Sequence, residues 1–124
     1  MTSSSDFRVT LLGTGVPTPR PDRFGPSTLV EVGNQRLLID AGRGAAIRLY
    51  QVGVPMGSID ALLLTHYHSD HTSGIPDVWL TGWLQSHYGT RTKPLRVLGP
   101  GWRKGAHVEP PKGIRGGHQD TYRG

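Results

Sequence analysis

The chemistry in this sequence is concentrated in the hexapeptide His66-Tyr67-His68-Ser69-Asp70-His71, which places three histidines and one aspartate within six residues. Imidazole nitrogen and carboxylate oxygen are the ligands that suit Zn²⁺ where no thiolate is available, and the chain has no cysteine. His66 and His68 can face one side of an extended turn, whereas Asp70 and His71 can address a second point beyond the bend. The spacing therefore indicates a two-metal site in which paired ions activate water.

The segments around this hexapeptide are predicted from the spacing of apolar residues. Residues 61–64 form a short apolar run that predicts a buried strand, and the hexapeptide follows its carboxyl end, where ligand sites collect in α/β sheets. Upstream, residues 7–12, 28–32 and 35–39 predict strands, the last two joined by a tight turn at Gly33-Asn34. A solvated surface loop is the alternative for the hexapeptide, and the agreement between spacing and strand context counts against it.

Two helices and a last strand complete the predicted α/β arrangement. Residues 45–52 have helical spacing, residues 77–88 predict a second helix that begins near Pro76, and residues 96–98 predict a short strand. His87 would place a favourable charge near the end of that second helix. Three of its apolar residues are predicted to lie in the core rather than to form a base-stacking platform: Trp79, Leu80 and Trp83.

Charge and composition divide the chain near Pro100. The net charge is +5 over 124 residues, but residues 1–90 hold six basic and seven acidic residues, whereas residues 91–124 hold eight basic and two acidic ones. Residues 101–124 are rich in glycine and basic side chains without sustained periodicity, which predicts a disordered tail after a domain at residues 1–100. No run approaches the length of a membrane helix and the first residues lack the pattern of a signal peptide, so a cytoplasmic location is expected.

Four motifs resemble those of the metallo-β-lactamase superfamily, and in particular its RNase Z group of tRNA 3′-processing endonucleases with their arylsulfatase-like and phosphodiesterase-like relatives. The resemblance implies an α/β fold, the N-terminal half of a metallo-β-lactamase αββα sandwich with a mixed sheet, over about residues 7 to 100. The motifs are Leu12-Gly13-Thr14-Gly15 followed by Pro17, Leu38-Ile39-Asp40-Ala41-Gly42 with Gly44, Leu63-Leu64-Thr65 before the hexapeptide, and Thr72-Ser73-Gly74-Ile75-Pro76 after it.

The resemblance also implies a role for each residue of the site. His66 and His68 match the ligands of a first zinc, and Asp70 and His71 match ligands of a second, so that a complete site holds two Zn²⁺ ions. Asp70 would also hold the nucleophilic hydroxide and act as general base. Asp40 is left with two interpretations of equal weight. It is either a carboxylate that orients a ligand of the hexapeptide, residues 66–71, which is called the metal loop below, or a turn aspartate that caps the helix from residue 45.

The match to the family stops near Pro100. The family adds a third histidine for the first zinc, a bridging aspartate, a final histidine for the second zinc and a late histidine that protonates the leaving group, and residues 99–124 match none of them. Each zinc would then have two protein ligands where three or four are usual. We therefore expect a truncated member, with a hypothetical frameshift near Pro100, and an exposed sheet face and edge.

The sequence leaves several functions open. The resemblance favours a zinc-dependent hydrolase of phosphodiester or related ester bonds, acting on RNA or on a small phosphodiester or sulfate ester. The first alternative is a catalytically inactive fragment with an incomplete metal site. The second is nonspecific nucleic-acid binding through the basic tail. No membrane partner is expected, and a homodimer is possible because a second copy could supply missing ligands.

Overall fold

One mixed β-sheet organises the residues that the computed structural model describes, which are 6–101. The five strands lie in chain order across the sheet; β1 to β3 are antiparallel, and β3, β4 and β5 are parallel. The predicted α/β fold with a mixed sheet is confirmed. The strands are β1 Phe7–Gly13, β2 Ser27–Val32, β3 Gln35–Ile39, β4 Ala61–Leu63 and β5 Arg96–Leu98.

Short helical segments connect the strands. They are α1 Ala45–Gln51, a 3₁₀ turn at Met56–Ser58, α2 Ser69–Thr72 and α3 Ile75–Gly82. Val32 pairs with Gln35 across the β2–β3 turn, where Gly33 has a φ of 58°, the left-handed conformation that a two-residue hairpin turn needs. Parallel strands need a crossover, which α1 provides between β3 and β4. Because β3 and β4 are parallel, their carboxyl ends meet at one end of the sheet.

The core lies between one face of the sheet and the helices. Side chains alternate across a strand, so Leu29, Leu38 and Leu62 stand side by side in the register of β2, β3 and β4. All three are fully buried, as are Leu49 of α1 and Val78 of α3. This packing fixes α1 and α3 against the strands whose ends carry the hexapeptide.

The opposite face of the sheet is uncovered. Phe7, Val9 and Leu11 alternate along β1 and are all exposed, and Val32 beside Phe7 is exposed as well. Every residue of the edge strand β5 is exposed. The expected exposed sheet face and edge are therefore present in the described part of the chain.

The prediction for the second helix was wrong at its end and in its packing. The helix α3 stops at Gly82, and the chain continues through i→i+3 bonds from Trp83 and Leu84 to Leu80 and Thr81, which tighten the last turn. Only Val78 and Gly82 of α3 are buried, so the helix packs through a narrow stripe. The three residues predicted to be core lie outside that stripe and are 40–56% exposed: Trp79, Leu80 and Trp83.

Two further expectations concern the end of the chain. His87 does not end a helix, because α3 ends at Gly82; its ring instead contacts Tyr50 and Tyr88. The predicted disorder of the tail falls, from residue 102 onward, outside the described residues. Within residues 6–101, no helix has the length and apolar character needed to cross a membrane.

Candidate metal centre

The hexapeptide lies where β3 and β4 end side by side. The amide of Asp40, the first residue after β3, donates to the carbonyl of Leu63 at the end of β4 (2.8 Å), and the amide of Ala41 donates to the carbonyl of His71 (2.8 Å). The turn after β3 is thus hydrogen-bonded both to the end of β4 and to the last residue of the hexapeptide that follows β4. Hydrophobic burial of the strands therefore sets the position of the loop.

The structure brings the predicted metal ligands together. The ring centroids of His66 and His68 are 4.7 Å apart, and those of His66 and His71 are 4.0 Å apart. The Nε2 atom of His71 lies 3.5 Å from a carboxylate oxygen of Asp70, which is 5% exposed. The one-turn helix α2, which spacing did not predict, carries Asp70 and His71 and turns them back toward the two histidines that precede it.

Asp40 contacts the metal loop instead of capping a helix. Its carboxylate accepts hydrogen bonds from the amide and the hydroxyl of Thr65, both at 2.8 Å, and its Oδ2 lies 2.7 Å from Nδ1 of His71. The N-cap of α1 is Gly44, which has no side-chain capping bond. Of the two interpretations of Asp40, the geometry favours the carboxylate that orients a loop histidine.

The pKa of Asp40 is below its ordinary value. Burial of the carboxyl raises its pKa, but the hydrogen bonds from the Thr65 amide, the His71 ring and the Thr65 hydroxyl lower it and together outweigh the burial. The carboxylate therefore stays ionised beside His71. An ionised oxygen at Nδ1 favours the tautomer with its proton there, which leaves Nε2 of His71 as a lone-pair donor.

Two hydroxyl residues support Asp40. The hydroxyl of Ser27, which is buried, donates to the carbonyl of Asp40 (2.8 Å). Thr65 Oγ1 lies between the Asp40 carboxylate and Nδ1 of His66, at 2.8 and 3.0 Å. Sequence reasoning did not assign Thr65, although its place directly before His66 was the available signal.

Three glycines let the backbone pack against Asp70. A Cβ atom added at Gly42 would lie 2.5 Å from the carbonyl oxygen of Asp70, and one added at Gly25 would lie 3.1 Å from it. A Cβ atom at Gly74 would lie 2.3 Å from the carbonyl oxygen of Gly42. No side chain fits at these positions without displacing backbone. The main chain at Asp70 is therefore held by direct backbone packing.

The donor set fits zinc by chemical type and proximity, while the side chains are not arranged around one point. Within residues 6–101, no three histidine, aspartate or glutamate side chains converge in a way that could hold a metal ion, and the loop imidazoles contact one another instead. The contact between Asp40 and His71 has the form of the carboxylate–histidine pairs that orient metal ligands in proteins.

The loop is also bonded to the strand at the edge of the sheet. The Tyr67 hydroxyl donates to the carbonyl of Pro100 (2.6 Å), and the amide of Leu64 donates to the carbonyl of Leu98 (2.7 Å). A Cβ atom added at Gly99 would lie 2.7 Å from the Tyr67 hydroxyl. The chain that follows β5 therefore leaves the described structure beside the metal loop.

The sequence is similar to one protein family and to several named proteins. The model of the protein family described as anti-Pycsar protein Apyc1 matches residues 7–96. Ribonuclease Z of Mycobacterium marinum (strain ATCC BAA-535 / M) is 50% identical over 94 residues, which cover 76% of this chain and 33% of that protein. Ribonuclease Z of Mycolicibacterium gilvum (strain PYR-GCK) is 51% identical over 94 residues, covering 76% of this chain and 32% of the relative. This chain thus spans about a third of the length of these relatives.

Solved structures give the same fold. The metallo-β-lactamase fold protein YhfI from Bacillus subtilis superposes with a TM-score of 0.65 at 28% identity, over 73% of this chain and 37% of that one. The short form of human tRNase Z superposes with a TM-score of 0.61 at 28% identity, over 72% of this chain and 32% of that one. The predicted resemblance to the metallo-β-lactamase superfamily and its RNase Z group is confirmed.

Proposed function

This chain belongs to the metallo-β-lactamase superfamily, in the family described as anti-Pycsar protein Apyc1, and on that premise we propose that it carries the metal-binding loop of a zinc-dependent hydrolase of phosphodiester bonds. The observation that carries the proposal is the cluster at the ends of β3 and β4. There, the ring centroid of His66 lies 4.7 Å from that of His68 and 4.0 Å from that of His71. The ring nitrogens of His71 lie 2.7 Å and 3.5 Å from oxygens of two buried carboxylates, those of Asp40 and Asp70. Hydrolysis of a phosphodiester by a two-metal mechanism uses such a concentration of metal-binding groups.

The residues divide into ligands and supporting groups. His66 and His68 are proposed to hold one zinc ion, and Asp70 and His71 a second. The chemistry that such ions supply is activation of water as a nucleophile and neutralisation of charge on the phosphate. Asp70, buried beside Nε2 of His71, is proposed as the catalytic general base that accepts a proton from the attacking water. Asp40 and Thr65 keep the loop imidazoles oriented.

RNA is the proposed substrate class, with 3′ processing of tRNA as the specific version. The support is the identity of about 50% to proteins named ribonuclease Z and the superposition on human tRNase Z. A small phosphodiester or a sulfate ester is the alternative substrate, because the loop geometry recognises the reacting group and not the rest of the molecule. A cytoplasmic location is proposed with the RNA substrate.

A specific observation favours a second candidate, a chain that is catalytically inactive by itself. The loop supplies four ligands, two for each of two zinc ions, whereas zinc in proteins usually has three or four protein ligands. The chain also spans about a third of its ribonuclease Z relatives. We therefore propose that residues 1–124 alone form an incomplete site, as in a truncated member of the family, unless a partner adds ligands.

Zinc content distinguishes the two candidates. Protein purified without chelator is analysed for zinc per chain, together with the double variant His66→Ala/His68→Ala and the control His87→Ala, whose exposed histidine lies outside the loop. Near two zinc ions per chain, lost in the double variant and kept in the control, supports the hydrolase. Substoichiometric zinc that is the same in all three proteins contradicts it and supports the inactive chain.

Activity is then measured on substrates that separate the substrate classes. A tRNA with a 3′ extension, bis(p-nitrophenyl) phosphate and p-nitrophenyl sulfate are each tested with the wild-type protein, the double variant and the variant Asp70→Asn. Cleavage of the tRNA at its 3′ end, lost in both variants, supports the specific proposal. Cleavage of only the small esters supports the alternative substrate, and no cleavage by zinc-loaded protein supports the inactive chain.

A homodimer is proposed to cover the uncovered sheet face, since two sheets that pack face to face bury apolar side chains between them. Sedimentation velocity tests this with Val9→Lys on the exposed face of β1 and with Val16→Lys as a matched control in the loop after β1. A dimer that dissociates in Val9→Lys and persists in Val16→Lys supports the proposal. A wild-type monomer across the concentration range contradicts it.

A further inference from the structure

Two clefts lie at the end of the sheet opposite the metal loop. They are lined by residues that precede β4 and β5 and by the first residues of β3 and β5, Gln35 and Arg96, whereas the metal loop follows the last residues of β3 and β4. The clefts are neighbours, because Pro55 lines one and Gly57 lines the other, with Met56 between them. Neither cleft includes a residue assigned to the hydrolase site.

The first cleft is aromatic. Its volume is about 290 Å³ and three rings form its walls, with Tyr88 contacting Tyr50 at 5.8 Å and His87 at 4.8 Å between centroids, and with interplanar angles of 76° and 75°. Tyr50 is 57% exposed, so one large aromatic surface is presented to solvent. Tyr88 packs on the core, which makes the wall rigid. The rest of the lining is small or apolar: Gly53, Val54 and Pro55.

The second cleft is basic. It has a volume of about 660 Å³, and its lining contains three cationic side chains, Arg91, Lys93 and Arg96, against one carboxylate, Asp60. Arg91 is 6% exposed and its Nη2 donates to the carbonyls of Met56 and Ile59, so it braces the wall of the cleft. Lys93 and Arg96 are exposed, and their charges are available to an anionic ligand.

One residue joins the two walls. The amide of Met56 donates to the carbonyl of Tyr88 (2.7 Å), while the carbonyl of Met56 accepts from Arg91 (2.9 Å). Pro55 and Gly57 are separated by two residue steps, which span about 7 Å at most. The wall that carries the aromatic rings and the wall that carries the cations are therefore linked through the hydrogen-bonded backbone at Met56.

We propose that the paired clefts bind a nucleotide of single-stranded RNA, with its base against Tyr50 and His87 and its phosphate against Lys93 and Arg96. Proteins bind single strands through aromatic rings on which bases stack, next to cationic groups that contact the backbone. An acidic peptide would use the cations but leave the aromatic walls without a ligand. The site lies outside the metal loop, and it concerns binding rather than hydrolysis.

Fluorescence anisotropy with fluorescein-labelled hexa-adenylate tests the proposal on the full chain. The variant Tyr50→Ala removes the stacking surface, and we expect binding about 5- to 100-fold weaker, the loss that accompanies one stacked base. The double variant Lys93→Gln/Arg96→Gln should weaken binding and lower the slope of log affinity against log salt by about 0.7, the contribution of one neutralised phosphate of a single strand. All three residues are exposed, so folding is expected to be unchanged.

Matched controls separate this site from general attraction by the basic chain. Trp79→Ala removes another exposed aromatic residue, and Arg20→Gln/Arg23→Gln removes two other exposed cations; both are expected to bind hexa-adenylate as the wild type does. Binding is also measured with EDTA present, which prevents zinc-dependent cleavage of the probe, so that failure of the hydrolase proposal leaves this one standing. Equal affinity of Tyr50→Ala, Lys93→Gln/Arg96→Gln and the wild type would overturn the proposal.

Competition with AMP identifies the source of the nucleotide. Displacement of hexa-adenylate by AMP, weakened in Tyr50→Ala, supports the site and shows that a free nucleotide is sufficient. Tyr50-dependent binding of hexa-adenylate that AMP does not displace supports the site as one that needs an RNA chain. Inorganic phosphate that competes as well as AMP would overturn the role of the aromatic cleft.

Discussion

The substitution Asp40→Asn tests the assignment of Asp40 as the group that orients the metal loop. Asparagine has the size of aspartate and tolerates the positive φ of 58° at this position. It keeps one oxygen, which can still accept from the Thr65 amide, as Oδ1 does now at 2.8 Å. The other oxygen, 2.7 Å from Nδ1 of His71, becomes an amide that donates and no longer accepts.

The magnitude follows from the lost contact. A hydrogen bond to a charged group contributes about 1.5–3 kcal/mol, and a buried donor left without its acceptor adds a cost of about 1–3 kcal/mol. We therefore expect Asp40→Asn to lower the free energy of unfolding of the metal-free protein by about 2.5–6 kcal/mol, the sum of these two costs, which is a large part of the ~5–15 kcal/mol of a typical domain. Zinc affinity should fall about 10- to 100-fold, as it does when the partner of a ligating histidine is removed.

Two assays measure these effects. Urea denaturation of chelator-treated protein, followed by far-ultraviolet circular dichroism, gives the free energy of unfolding, and competition with a chromogenic chelator gives the zinc affinity. The control is Asp77→Asn, an exposed aspartate in the first turn of α3, which should change stability by no more than about 0.5 kcal/mol. If Asp40→Asn and Asp77→Asn unfold at the same urea concentration and bind zinc equally, Asp40 does not orient the loop.

Three further predictions concern the packing and the charge around the site. Gly42→Ala places a Cβ atom 2.5 Å from the Asp70 carbonyl oxygen and should lower both the free energy of unfolding and the zinc affinity. The control Gly101→Ala, with open space around it, should change neither. Urea denaturation measures the free energy of unfolding, and chelator competition measures the zinc affinity. Leu38→Ala should cost about 2–5 kcal/mol of unfolding free energy, against less than about 1 kcal/mol for the exposed Leu80→Ala, measured by the same denaturation. The pKa of Asp40 is below its ordinary value of 3.8, so its ionisation stabilises the folded protein above that pH, and this contribution is lost as pH falls from about 3.8 through the lower folded-state pKa. Between pH 5 and pH 3 the urea midpoint should therefore fall less in Asp40→Asn than in Asp77→Asn, and equal falls would contradict the ionised carboxylate.

The strands and the metal loop could be predicted because their signals are local. Residues 28–32 and 35–39 alternate around a glycine turn, and β2 and β3 lie there within one residue. The apolar run at residues 61–64 became β4, and the side chains of the hexapeptide that were predicted as ligands lie close together after it. The alternation of apolar and polar residues in a strand and a dense group of potential metal ligands can both be recognised without knowing how the rest of the chain folds.

The end of α3 depended on distant residues. Residues 77–88 keep helical spacing, but Gly82 packs beside Gly57 and accepts a backbone bond from Arg91, so the helix stops where another segment crosses it. Trp79 and Trp83 are apolar, and a sequence alone does not show that the buried stripe consists of Val78 and Gly82. Tertiary contacts, and not helix propensity, therefore determine where α3 ends and which of its residues are buried.

Asp40 shows why the site could be located but not fully interpreted from sequence. Its backbone φ of 58° is shared by few non-glycine residues, and that conformation costs an ordinary L-residue about 1–2 kcal/mol. Glycine would relieve this cost, but it would remove the acceptor of three hydrogen bonds from Thr65 and His71. Bonds to a charged group contribute about 1.5–3 kcal/mol each, so the carboxylate outweighs the strain. The partners of Asp40 lie 25 and 31 residues away, and a cap and an orienting carboxylate therefore have the same local sequence.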